Sequence, residues 1–196
     1  MTTVMVEPAR VVSLLSSMYL CKPSGTAIEK WKMVLAGDTS LFLWDMKEAL
    51  KEIDTESKKG LEDILWDYTQ LFIGPYKLPC PPWESVYTSA KRLMMQEAHD
   101  EVQNFYNEAG LAMNTPGIMP DHIGAELNFL ALLLQDAGVE PEKGQNFHAL
   151  AKRFLEEHLR GWILKFTGDM ENAADTFFYR ALARVTRNFI MFLMDN

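Results

Sequence analysis

Residues 61–72, LEDILWDYTQLF, place Leu61, Ile64, Leu65, Tyr68, Leu71 and Phe72 at i, i+3, i+4, i+7, i+10 and i+11. That spacing lays a single apolar stripe along a helix of 3.6 residues per turn. The helix must stop at Gly74-Pro75. Pro75, Pro79, Pro81 and Pro82 then keep the chain extended up to Trp83, because proline lacks the N–H that a helix interior needs and also restricts the residue before it.

Outward from this stretch the same period recurs, and the alternation expected of strands does not. Helices are expected from Pro8 to before Pro23, over 27–36 with Gly37 closing, over 41–53, and over 88–109 with Gly110 closing. A Pro/Gly-containing break at 111–120 follows. Asp121 then stands where an N-cap belongs, ahead of a strongly apolar helix to about 137. Pro141 opens the next helix, with Phe147, Leu150, Phe154, Leu155 and His158 on one face. The chain continues through Trp162 and Phe166 to a last helix over 174–194. The expected fold is all-α: a single compact domain of about nine to eleven helices spanning 1–196.

The 196 residues carry 19 Lys+Arg and 27 Asp+Glu, a formal charge of −8, with 48% apolar residues. Such a chain buries a real core, so disorder is excluded. Its acidity argues against nucleic acid or an anionic lipid surface as partner and favours a cationic one. Two cysteines supply neither a disulfide framework nor a Cys-rich zinc site. The longest apolar runs, 129–134 and 189–194, fall far short of the ~20 residues needed to span a bilayer. Glu7 stands where a signal peptide would carry basic residues before its apolar segment. The expectation is a cytoplasmic protein without an integral membrane segment.

No catalytic or metal site is assigned. Gln96, Met119, Gln145 and Leu155 stand three before the four histidines, so the Glu-x-x-His pairs of a di-iron bundle are missing, as is H-E-x-x-H. Phosphate loops and nucleophile elbows are missing too. Asp121-His122 has two readings: a helix cap followed by a solvent-facing imidazole, or an oriented general acid/base. His99, His148 and His158 read as exposed or core-edge residues. The twelve methionines fill gaps in a helical core, form an adaptable surface for greasy peptides, or both.

Three stretches together resemble one family. Tyr68-Thr-Gln-Leu71-Phe72-Ile-Gly74-Pro75 is followed by Pro81-Pro82-Trp83-Glu84-Ser85-Val86-Tyr87. Pro120-Asp121-His122-Ile123 comes next, with Glu126-Leu127 beyond. Phe154-Leu155-x-x-His158-Leu159-x-x-Trp162-x-x-x-Phe166 follows, with Phe178-Tyr179 downstream. The combination is similar to motifs of the TorD/DmsD/NarJ family of redox-enzyme maturation chaperones, over roughly residues 60–195. Ile118 and Met119 depart from the Glu-Pro often found ahead of the family's Asp-His, and Tyr19 is set loosely against a binding tyrosine. The resemblance implies two helical halves joined by a linker near 111–120.

It also implies a non-enzymatic chaperone that binds the twin-arginine signal peptide of an apo molybdenum-containing oxidoreductase, assists cofactor insertion and prevents premature export. The partners are then that signal peptide and the molybdoenzyme catalytic subunit, with the chaperone a monomer or a domain-swapped dimer. Weak binding of guanine nucleotide or of molybdopterin guanine dinucleotide is implied as well. A leader with two guanidinium groups ahead of an apolar stretch calls for carboxylates beside an apolar groove. The expected signal-peptide site comprises Tyr68, Leu71, Phe72, Pro82, Trp83, Glu84, Asp121 and His122. Leu71, Phe72 and Trp83 would touch the apolar part, and Asp121 with Glu84 would receive the arginines. Leu71 and Phe72 also fit plain core, and Glu84 also fits a cap on the helix after it. The alternatives are a general helix-binding scaffold and a hydrolase using Asp121-His122.

Overall fold

Pro8 opens helix α1 (Pro8–Leu20), where its missing N–H is one the first turn would leave unpaired anyway. The computed structural model describes residues 7–38, 40–75, 77–112, 117–136 and 141–196, the side chains of 136 and 141–145 excepted, and every regular element among them is helical. Helix α2 (Gly25–Ala36) is capped by Ser24, whose hydroxyl accepts from Ala27 N–H at 3.2 Å. A short 3₁₀ turn, Leu41–Leu43, leads into α3 (Trp44–Glu52). Helix α4 (Lys58–Tyr68) runs on into one wide π-turn, Thr69–Ile73, which Gly74 ends with a φ of 85°. The chain stops being helical at Gly74-Pro75, as its sequence predicts.

The helix expected over 88–109 begins only at Glu97. Helix α5 (Glu84–Thr88) is a short turn, and α6 (Glu97–Glu108) begins only after 89–96. That interval has no face to bury: Leu93, Met94 and Met95 all lie exposed, and Arg92 and Met95 adopt positive φ. An isolated stretch without tertiary support does not repay helix nucleation.

Helix α7 (Ile123–Asp136) runs through the centre, with Ile123, Leu127, Phe129, Leu130 and Leu133 sealed from solvent. Helix α1 lies hard against it. Ser16 Oγ donates to the Gly124 carbonyl at 2.7 Å, and a Cβ on Gly124 would sit 2.6 Å from Leu20 Cγ. Helix α8 (Pro141–Phe154), a π-turn Leu155–Leu159 and α9 (Arg160–Ala173) follow one another directly. Helix α10 (Phe177–Asp195) starts three residues later than 174 because the buried Asp67 carboxylate holds the approach. It accepts from Asp175 N–H (3.2 Å), Thr176 N–H (2.8 Å) and Thr176 Oγ (2.6 Å). The expected linker at 111–120 lies partly outside the described residues, at 113–116. No helix among those described is long and apolar enough to cross a membrane.

Candidate functional site

The π-turn after α4 sets the first wall of a groove. Its wider winding sends Leu71 and Phe72 inward and Ile73 outward. Phe72 meets Tyr68, Tyr179 and Tyr19 edge to face at centroid distances of 5.6, 5.8 and 6.3 Å. The second wall is made by a two-stranded contact that the prolines permit. Glu84 N–H donates to the Asp121 carbonyl and Ile123 N–H to the Pro82 carbonyl, each at 2.9 Å, so Trp83 and His122 pair across an antiparallel bridge. Their rings stand 6.1 Å apart at 77°. Between the walls is a hollow of about 180 Å³ lined by Tyr68, Phe72, Pro82, Trp83 and His122, together with Tyr19, Leu20, Ile73 and 117–119.

Five of the eight expected site residues therefore line one groove. Leu71, Glu84 and Asp121 do not. Leu71 is core, its carbonyl facing Cys80 Sγ at 3.7 Å. Glu84 and Asp121 are buried behind the groove, which corrects the expectation that they receive arginines: a guanidinium cannot reach them, and one oxygen of each already has an internal partner. Asp121 Oδ2 accepts from both the N–H (3.2 Å) and the hydroxyl of Ser85. Glu84 Oε2 lies 2.9 Å from His158 Nδ1, a pair sealed from water and flanked by Phe105 and Phe154. His158 is thus core, not core edge. Glu84 opens α5 without serving as its cap.

Nor does Asp121 cap α7. His122 does so itself, with Nδ1 accepting from Gly124 N–H at 3.0 Å, which requires that nitrogen unprotonated. Burial pushes the imidazole down to about 4, in keeping with that role. Glu126, one turn into α7, completes the buried group. Its carboxyl is raised well above the usual range, first by burial and then by the charges of Glu84 and Asp121. A neutral Glu126 can donate to Glu84 while its Oε2 accepts from Trp162 Nε1 at 3.3 Å. The three acids thus tie the loop after the prolines to α7 and α9, and so place Trp83 and His122.

Residues 35–168 match the family described as the nitrate reductase delta subunit. The chain belongs to the TorD/DmsD/NarJ family. Among relatives of this TorD/DmsD/NarJ protein, a Haemophilus influenzae protein named "Probable Tat proofreading chaperone DmsD" is 33% identical over 138 residues, 69% of this chain and 63% of that one. The Tat proofreading chaperone DmsD of Salmonella typhi is 27% identical over 89% of this chain and 82% of its own. The fold is shared with a crystal structure of an Archaeoglobus fulgidus protein described as a redox enzyme maturation protein, at a TM-score of 0.65 and 22% identity, covering 94% of this chain and 93% of that one.

In this TorD/DmsD/NarJ chain, sequence reasoning missed Leu20, Ile73, Ile118 and Met119 in the groove. Leu20 and Ile73 end helical elements and Ile118 and Met119 precede α7, and each is an apolar residue indistinguishable in sequence from core. It also missed the support given by His158 and Glu126, although both stand inside the quoted motifs. Three hollows among the described residues fit a guanine nucleotide poorly. The groove has no Lys or Arg in its lining, and neither has a second hollow by α3, α4 and α10. A third, beside α6 and α8, has Arg153, which already pairs with Glu108 at 2.8 Å and Glu157 at 3.4 Å. None of these three offers phosphate an unpaired cation.

Proposed function

We propose that this protein is a cytoplasmic, non-catalytic chaperone whose groove takes the apolar part of a twin-arginine signal peptide on an apo molybdenum-containing oxidoreductase, and that occupancy of the groove delays export until the cofactor is inserted. The observation that carries the reading is the convergence of Tyr68, Phe72, Pro82, Trp83 and His122, from two separate segments, on one apolar hollow. Partly buried aromatics set on a rigid frame are the type of surface that anchors a greasy segment. The relatives' names, Tat proofreading chaperone among them, support it.

The hydrolase reading has less support. His122 spends Nδ1 on a helix N–H, and Asp121 spends Oδ2 on Ser85, so the carboxylate is not placed as orienter of the imidazole. The test is calorimetric titration with a synthetic twin-arginine leader. Trp83→Ala should weaken binding about thirtyfold, the effect of losing an anchor worth about 2 kcal/mol. Equal affinity for wild type and variant, with helical circular dichroism retained, would sink the assignment of the groove. Size-exclusion chromatography distinguishes the monomer from an exchanged dimer.

A further inference from the structure

The groove has no charged residue in its lining, and the buried acids behind it are out of reach. A leader whose apolar part sits there still brings two arginines that need a place. Helix α4 leads away from the groove with one face uncovered. Trp66 is 68% exposed and Ile73, at the groove, 62%. Between them lies Gln70, also exposed. One turn before Trp66 stands Asp63, also exposed. Beside this pair opens a hollow of about 430 Å³ lined by Glu52, Asp63, Trp66 and Asp175 over an apolar floor that includes Ile64 and Phe177. Among the described residues none of Glu52, Asp63 and Asp175 is in an ion pair. The nearby Arg180 is spent on the carbonyls of Ala174 and Asp175, at 3.0 and 2.9 Å.

We propose that this face of α4 is the arginine subsite of the leader: one guanidinium stacks on the Trp66 indole and forks onto Asp63, and the second enters the hollow toward Glu52 and Asp175. This rests on the reading of the groove given above. The chemistry selects arginine over lysine, because only a planar guanidinium can stack on an indole and make two parallel hydrogen bonds to a carboxylate at once.

The test is a titration of three leaders, with Arg-Arg, Lys-Lys and Gln-Gln at the pair, against wild type, Trp66→Ala, Asp63→Asn and Trp83→Ala. Asp63 and Trp66 are exposed, and retained helical circular dichroism checks the fold of the partly buried Trp83 variant. Trp66→Ala should weaken the Arg-Arg leader about fivefold and leave the Gln-Gln leader unchanged. Asp63→Asn should act in the same direction, more strongly at low salt. Trp83→Ala should weaken all three leaders alike. Trp66→Ala weakening the Arg-Arg and Gln-Gln leaders equally, or neither, overturns the subsite while the groove stands. Failure of the Arg-Arg leader to bind wild type overturns both.

Discussion

His158 stands 74 positions after Glu84 in the chain, and its Nδ1 meets Glu84 Oε2 at 2.9 Å with both side chains shut off from water. The contact ties the turn that carries Trp83 to the rod formed by α8 and α9. Removing one partner of such a pair costs far more than the pair itself contributes, because the other is left desolvated and alone. His158→Ala should lower unfolding free energy by about 3 kcal/mol in urea titrations. Glu84→Gln should cost clearly less, since an amide still bonds to the imidazole. A loss under about 1 kcal/mol for His158→Ala would show that the pair is open to water.

Glu126 sets a dependence on pH in the opposite sense to an ordinary surface acid. The folded protein keeps a proton on it that the unfolded chain, titrating near 4.5, gives up. The stability from this group is therefore complete below about pH 4.5 and falls as pH rises toward the raised folded value. Glu126→Gln cannot ionise and removes that fall. Urea unfolding at two pH values, about 5.5 and about 8, should show wild type losing more stability between them than the variant. Equal losses would mean that Glu126 is ionised in the fold.

His122 runs the other way. It is neutral in the fold down to about 4 and titrates near 6.5 when unfolded, so its share of stability is present above pH 6.5 and drains away as pH falls toward 4. Its ring resonances should show a midpoint close to 4 by NMR. A midpoint at 6.5 would mean that Nδ1 does not accept from Gly124 N–H.

Gly124→Ala should destabilise by about 1–3 kcal/mol, although the same change in a helix ordinarily stabilises. The added methyl would lie 2.6 Å from Leu20 Cγ and 2.7 Å from Cδ2, forcing α1 off α7. Because Leu20 lines the groove, leader affinity should drop with it, and Leu20→Ala in the same chain should recover part of the stability.

The two thiols should react on different schedules. Cys21 is exposed next to Leu20 at the groove, whereas Cys80 is buried and its thiol pushed well up by desolvation. A thiol reagent should label Cys21 in the native protein and Cys80 only with unfolding. Bound leader should slow the first reaction and, by stabilising the fold, the second. Labelling of Cys80 at the rate of Cys21 would contradict its burial.

The all-helical fold was legible because its signals are local: the apolar stripe of 61–72, Gly74 and Gly110 as stops, and Pro8 as a start. Two boundaries failed for want of tertiary information. Nothing near 174 announces that Asp67, 109 positions before Thr176, will hold the approach to α10. Nothing in 88–96 says that its apolar residues face solvent. In the groove, Trp83 and His122 were readable from a proline-framed loop and a polar pair at a helix start. The acids differ for a physical reason: a carboxylate for a ligand looks the same in sequence as one held by a buried partner, His158 for Glu84 and Ser85 for Asp121.

The bridge between Trp83 and His122 has an implication for how the protein is made. The first wall of the receptor is translated early, but the second needs residue 122, and its bracing needs residue 158. A nascent polypeptide halted at residue 110 would thus own the aromatic half of a receptor and nothing to close it against. Competence to receive a leader should switch on late in synthesis, after the ribosome has released most of the chain, which guards against a half-built chaperone seizing its client.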